Sequence, residues 1–264
     1  DFTAKTDEQA IEKIKEILHI LRASEISSDP VDRLIDDAES IVPYDNRQVY
    51  DMRKLITRIC DAGEFLEMKP RYGTGIIVGL GRIGGQTVGI VASQPNSAGG
   101  AVDAKGIRKS GEFLEFVQVR KIPLLVLQDI PGFLVGSAVE KDGLLKAIQM
   151  HCRALEALDV PMVTVITRKA YGAAYYFIGT GASGAQFVAA WPNAVISFMA
   201  PEIGAYIFTK HVEPDKKKEA IKKSITELER GASVWDAAQE FWLDAIIDPK
   251  ETRKVICHAF RLLC

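Results

Sequence analysis

Two runs of this chain are so uniformly apolar that they dictate the class of fold. Residues 122–129 (Ile-Pro-Leu-Leu-Val-Leu-Gln-Asp) and 160–167 (Val-Pro-Met-Val-Thr-Val-Ile-Thr) have the length and composition of strands and almost no polar face. A strand without a polar face has to be covered on both sides. Helical patterns at about 107–120 and 138–158 alternate with these runs and can supply the cover. Strand, helix, strand, helix is the order of an α/β domain. Two shorter β-rich runs, Gly75–Gly79 and Thr87–Val91, lie upstream. The chain has 264 residues, 47% of them hydrophobic, enough for one large core or two small ones.

The flanks are helical. Thr6-Asp7-Glu8-Gln9 has the form of a capping box, and Ile11, Ile14, Leu18 and Leu21 follow at helical spacing, which predicts an amphipathic helix over 7–24. A polar, Asp-rich connection runs from Pro30 to Pro43. A second helix starts near Val49, buries Met52, Leu55, Ile56 and Ile59, and ends by Gly63. Residues 213–230 are charged and helical in composition. The Lys216-Lys217-Lys218 run there has acidic neighbours and is expected to be a solvated helix face. Asp248-Pro249 caps a last helix whose Val255, Ile256, Ala259 and Phe260 point inward. The expected organisation is a helical lead-in (1–64), an α/β core (65–212) and C-terminal helices (213–264). The chain opens on Asp1 with no signal-peptide pattern, as expected of a piece cut from a longer subunit.

Bulk properties exclude several classes. The net charge is −2, so no basic field supports binding to nucleic acid or to an anionic membrane. No apolar run is long enough to span a bilayer. Cys60, Cys152, Cys257 and Cys264 are far apart, without CxxC or zinc-like Cys/His spacing. Such cysteines are expected to be buried hydrophobes in a reducing cytoplasm, with no metal site.

Few segments carry chemistry. Gly79-Leu80-Gly81-Arg82-Ile83-Gly84 matches a dinucleotide fingerprint, which needs a helix after it; here a second strand follows, so the glycines read as a hairpin turn. Residues 129–137 follow directly on a buried strand, where α/β folds place ligands; an ordinary strand–helix connection fits the residues equally well. Residues 168–176 (Arg-Lys-Ala-Tyr-Gly-Ala-Ala-Tyr-Tyr) follow the next strand, with small residues where a helix should start. The first N–H groups of a helix lack internal partners and sit at its positive end, so small side chains there can expose an oxyanion hole. Close helix packing is the competing explanation. His19, His151, His211 and His258 all fall on helices or their ends, and Gly181-Ala182-Ser183-Gly184-Ala185 misses the nucleophile elbow at its last position.

Taken together, five segments resemble the carboxyltransferase subunits of biotin-dependent acyl-CoA carboxylases and the related decarboxylases. They are Pro43-Tyr44-Asp45 with Asp51-Met52-Arg53; Gly89-Ile90-Val91-Ala92-Ser93-Gln94-Pro95; Asp129-Ile130-Pro131-Gly132-Phe133; Arg168-Lys169-Ala170-Tyr171-Gly172-Ala173-Ala174-Tyr175; and Ile247-Asp248-Pro249 with Thr252-Arg253. They occur in family order over nearly the whole chain, and all belong to the second of the family's two halves. The resemblance implies a crotonase-like ββα superhelix that binds the biotin side of the reaction. It implies carboxyl transfer between carboxybiotin and an acyl-CoA, with no side-chain nucleophile.

By the same resemblance the backbone N–H groups of Ala173 and Ala174 form the oxyanion hole for biotin, and Gly132, Phe133, Tyr171 and Gly172 line the site. The implied cofactor is biotin held on a carrier, not on this chain. The implied partners are the biotin carboxyl carrier protein, biotin carboxylase, and the N-terminal half of a neighbouring subunit in a trimer or hexamer. Departures from the family are instructive. Ala173 stands where relatives often have a second glycine, a mild change because the donor is backbone. Tyr176 stands at a position that influences acyl-chain choice and is often aspartate; a tyrosine weighs against acetyl- or propionyl-CoA. Val135, Ser137 and Lys146-Ala147-Ile148-Gln149-Met150 also differ. Three alternatives are the same chemistry reversed in a sodium-pumping glutaconyl- or methylmalonyl-CoA decarboxylase, an enoyl-CoA hydratase or isomerase using glutamate, and a non-catalytic oligomerisation module.

Overall fold

The computed structural model describes residues 2–22 and 29–264. Helices α1 (Asp7–Leu21), α2 (Ala38–Ile41) and α3 (Met52–Ile59) precede an eight-stranded sheet. Strands β1 (Phe65–Met68), β2 (Ile76–Ile83) and β3 (Gln86–Ser93) form an antiparallel meander. After α4 (Ala104–Arg120), strand β4 (Leu124–Ile130) joins β3 in parallel. Helices α5 (Ser137–Lys141) and α6 (Leu144–Glu156) lead to β5 (Met162–Tyr171), parallel to β4. Helix α7 (Gly172–Gly179) follows at once, then β6 (Phe187–Ala190) and β7 (Val195–Ser197), both parallel to β5. Helices α8 (Pro201–Phe208), α9 (Lys217–Arg230) and α10 (Val234–Gln239) come next. A two-residue strand β8 (Ala245–Ile246) extends the sheet beyond β6, and α11 (Thr252–Leu263) ends the chain.

The two apolar runs are central strands with a core on each face. Side chains alternate across a strand, so Leu125, Leu127, Val163 and Val165 meet α3 and α11, whereas Leu124, Val126, Ile130 and Met162 meet α4, α6 and α7. This is why no polar face appears in either run.

Most expected elements are present with shifted ends. Met52, Leu55, Ile56 and Ile59 of α3 are all fully buried. The expected helix over 138–158 is broken at Gly143, whose φ of +81° an L side chain rarely adopts. The expected helix over 7–24 runs Asp7–Leu21 in the described part, and residues 23–24 lie outside the described residues. Its stripe is a correction: Ile11, Ile14 and Leu18 are exposed, and Ile20 is the buried residue. Periodicity marks a helix as amphipathic without saying which partner covers its apolar face. Of the cysteines, Cys60 and Cys257 are buried, Cys152 is half-buried and Cys264 is exposed, all as free thiols.

The glycine-rich segment is a hairpin. Gly84 (φ +60°) and Gly85 (φ +87°) make the β2–β3 turn, as a tight turn with positive φ at both central residues requires. Both amides donate to the buried carboxylate of Asp61, at 3.0 and 2.7 Å. Asp61 also pairs with the fully buried Arg253 of α11, which in turn donates to the carbonyl of Ile59. One acid thus joins the lead-in, the hairpin and the last helix.

Lys109 on α4 is another buried charge, with no carboxylate at bonding distance among the described residues; its amine reaches the Lys69 carbonyl at 3.5 Å. Burial pushes it down to about 8 from 10.5. Between those two values the unfolded chain holds a proton that the folded one has lost, so stability rises with pH across that window. Unfolding titrations of the parent and Lys109→Met, compared at each pH, are expected to show this rise only in the parent; matching slopes would show that the amine is not depressed.

Candidate functional site

The carboxyl ends of β4 and β5 bring the two expected site segments side by side, with Ile130 paired to Ala170. Each segment leaves its strand differently. After β4, Gly132 takes φ +135°, a conformation reserved for glycine, with nothing within 4 Å of where a Cβ would lie. The loop is pinned by Val102, whose N–H donates to the Gly132 carbonyl at 3.1 Å and whose carbonyl accepts from Leu134 at 2.9 Å; Val102 also bridges Phe133. Gly136 (φ +133°) then opens α5.

After β5 there is no loop. Tyr171 is still paired with Ser197 of β7, and the next residue starts α7. Gly172 makes this turn with φ +65°; a Cβ there would sit 3.2 Å from the Phe198 carbonyl. The first turn of α7 has no side-chain cap. Among the described residues, no side chain or loop carbonyl accepts from the N–H of Ala173 or Ala174. The two residues differ in access: Ala173 is exposed, whereas Ala174 is fully covered by the core between α7 and the sheet. Tyr171 lies buried at the helix start, and Tyr176 stands half-exposed on α7, edge-to-face with Tyr175 at 5.0 Å. Burial, with Glu202 second, pushes the Tyr171 phenol up to about 12, so it remains a neutral wall.

What fixes the junction is a buried ion pair. Asp129, the last polar residue of β4, is fully buried and accepts from Arg168 Nε at 2.9 Å. A second Arg168 nitrogen lies 2.9 Å away as an ion-pair contact. The other Asp129 oxygen accepts from the Lys169 N–H at 3.2 Å and faces the Lys169 amine at 3.4 Å. Arg168 Nη1 spends its hydrogens on three carbonyls of one loop, those of Pro43, Asp45 and Gln48, at 3.1, 2.8 and 2.9 Å. Its guanidinium lies 5.0 Å from the Tyr50 ring, whose hydroxyl meets Thr167 at 3.3 Å. Burial and the Asp129 charge hold that phenol well above its ordinary value. Burial also depresses Lys169, against the pull of Asp129.

Asp129, Arg168 and Tyr50 lie in or beside the motifs that carried the resemblance, yet no role was assigned to them from the sequence. The available signal was charge at the ends of otherwise apolar strands, which demands a partner. Among the described residues no His/Cys/Asp/Glu group could hold a metal, and no helix is long and apolar enough to cross a membrane. Two clefts of about 360 and 580 Å³ are lined by residues of 37–58, 191–193 and 249, not by α7.

Fold and site together define an α/β protein in which an uncapped helix start, that of α7, stands beside a glycine-turned loop at the ends of adjacent parallel strands. The chain belongs to the carboxyl transferase domain family, whose description matches residues 1–264. It is 34% identical to the propionyl-CoA carboxylase beta chain of Saccharopolyspora erythraea, over 99% of this chain and 52% of that protein. The methylmalonyl-CoA decarboxylase subunit alpha of Veillonella parvula is also 34% identical, again over 99% and 52%. Among solved structures, transcarboxylase 12S, a hexamer described with methylmalonyl-coenzyme A bound, superposes with a TM-score of 0.93 at 33% identity, covering 99% of this chain and 52% of that one. The crotonase-like α/β class implied by the motifs is thereby shown. The chain spans about half the length of these relatives.

Removing Asp129 would strand the Arg168 cation in the core. Asp129→Leu is expected to cost about 3–5 kcal/mol, read as a fall in the urea midpoint at unchanged slope. A midpoint equal to the parent's would show that the pair does not hold this junction.

Proposed function

We propose that this chain is the biotin-facing half of a carboxyltransferase that moves a carboxyl group between carboxybiotin and an acyl-CoA. The observation that carries this is the Ala173 N–H: it stands in the first turn of α7, with no side-chain acceptor among the described residues, on an exposed residue. Biotin, when bound, supplies the transferable carboxyl group and a ureido oxygen on which negative charge grows. The chain's own part is to meet that charge. Ala173 donates first, and Ala174, next along the same turn, donates if the ligand displaces its cover. The dipole of α7 adds to both. The Ala173 donor does not have to reorganise during the reaction, because Gly172 and the Asp129–Arg168 pair already fix the turn.

Ala173 is an exposed residue and lines neither of the two clefts, which suits a site completed by a second body. Tyr176 on the same helix and Phe198, whose carbonyl approaches Gly172, are exposed, as are Val135, Ile203, Tyr206 and Phe208 elsewhere on the chain. In the proposed assembly they are covered by the thioester-binding half of a neighbouring subunit, as in a trimer or hexamer. The biotin carboxyl carrier protein and biotin carboxylase deliver the carboxyl group, in the cytoplasm. Gly132 and Phe133 border the ligand from the adjacent strand end, and Tyr176 shapes the acyl-chain choice. The decarboxylase relative, as similar as the carboxylase, supports the same site running in the opposite direction.

Proline is tolerated in the first turn of a helix, so Ala173→Pro removes the donor while leaving α7 able to form. In the complete subunit, with carrier-borne carboxybiotin and a panel of acyl-CoA thioesters, kcat is expected to fall about 10²–10³-fold with little change in the acyl-CoA KM. Equal losses in both would mean the residue only shapes the fold. Product formed without a biotin donor would defeat the assignment.

A further inference from the structure

Helix α7 ends where it should be costly to end, against the sheet. Its last residue, Gly179, turns away with φ +125° beneath a close contact with β4 and β5: a Cβ there would lie 3.1–3.6 Å from Val126, Met162 and Thr164. Terminal carbonyls of a helix have no internal partners, and here they belong to buried residues, Tyr175 and Gly179 among them. Two side chains meet them instead. Gln128 Nε2 donates to the Gly179 carbonyl at 3.0 Å and approaches the Tyr175 carbonyl at 3.5 Å. Thr164 Oγ1 donates to the same Gly179 carbonyl at 2.8 Å. Both residues are fully buried.

Gln128 is out of place by composition. It follows Leu124-Leu125-Val126-Leu127 on a wholly buried strand, and its Oε1 finds no hydrogen-bond partner among the described residues. A buried polar side chain with one unmet acceptor is kept at a cost; here the return is a fixed helix end. Successive strand residues point to opposite faces. Asp129 therefore clamps Arg168 and the Lys169 N–H on one side of the sheet, while Gln128 clamps Tyr175 and Gly179 on the other. Two consecutive residues of β4 hold both ends of the segment that carries the donor.

We propose that Gln128, together with Thr164, is a positioning residue: by anchoring the far end of α7 it sets where the Ala173 N–H points. This rests on the biotin-facing assignment of that amide. The eight residues of α7 make a lever about 12 Å long, so a tilt of about 10° at Gly179 displaces the first turn by about 2 Å. Misplacement on that scale is what oriented catalysis tolerates least.

The test uses the complete subunit with carrier-borne carboxybiotin, and the variants Gln128→Leu, Thr164→Val and Thr164→Ser. Gln128→Leu and Thr164→Val are expected to lower kcat about tenfold at an unchanged acyl-CoA KM, and to speed hydrogen exchange within α7 but not within α4. Thr164→Ser, which keeps the hydroxyl, is expected to restore both readouts. Parental kcat in Gln128→Leu, or kcat and KM falling in step, overturns the proposal. Should Gln128→Leu fail to assemble, the Thr164 pair decides: Thr164→Ser behaving like Thr164→Val overturns it. A parent without carboxybiotin-dependent transfer sinks the functional assignment itself; unaltered exchange in α7, with transfer intact in the parent, sinks only the positioning role.

Discussion

The carboxylate of Asp129 and the guanidinium of Arg168 meet where neither has any contact with water, and the site is arranged around that fact. Each charge is costly to bury alone, and their mutual attraction repays the loss of hydration only if the remaining donors and acceptors are also used. The structure uses most of them. Asp129 takes the backbone N–H of Lys169, and Arg168 feeds three carbonyls of the 43–48 loop. A loop from the lead-in, the end of β4 and the end of β5 are therefore locked into one arrangement, and the turn at Gly172 inherits its geometry from that lock.

The proposed site, made of main-chain donors, would place unusual demands on sequence. What matters is the path of the backbone and the absence of obstruction, not the identity of a nucleophile. Ala173 can replace a glycine because its methyl group does not alter the N–H. Gly172 is less replaceable, since it combines positive φ with a close approach to the Phe198 carbonyl. Sequence can drift to about a third identity with the relatives while the chain path stays superposable, as it does with transcarboxylase 12S.

Much of this was legible beforehand. The double-sided apolar runs gave the central strands, the paired glycines gave the hairpin, and the small residues after β5 marked the start of α7. Local rules suffice for these because their causes are local: pleat, turn and helix terminus. What stayed hidden depends on distant partners. The outward face of Ile11, Ile14 and Leu18 follows from which surface α1 leans on, not from its period. The short β8 has too few residues to show a pattern and exists because β6 offers an edge. The pairing of Asp129 with Arg168 spans 39 residues and leaves no periodic trace, although each charge at a strand end advertised a need. Gln128 was visible as an oddity in an apolar run, but its use depends on where α7 ends.

The carboxylate of Asp61 has a bearing on how this chain comes into being. It seats the β2–β3 turn from 23 and 24 residues away, yet its counter-charge on Arg253 lies 192 residues downstream. The hairpin can close locally, but the acid beneath it has no counter-charge until α11 packs against the lead-in. Native packing around this turn therefore waits on a contact far away in sequence, the slow, non-local closure that leaves apolar surface open to wrong partners.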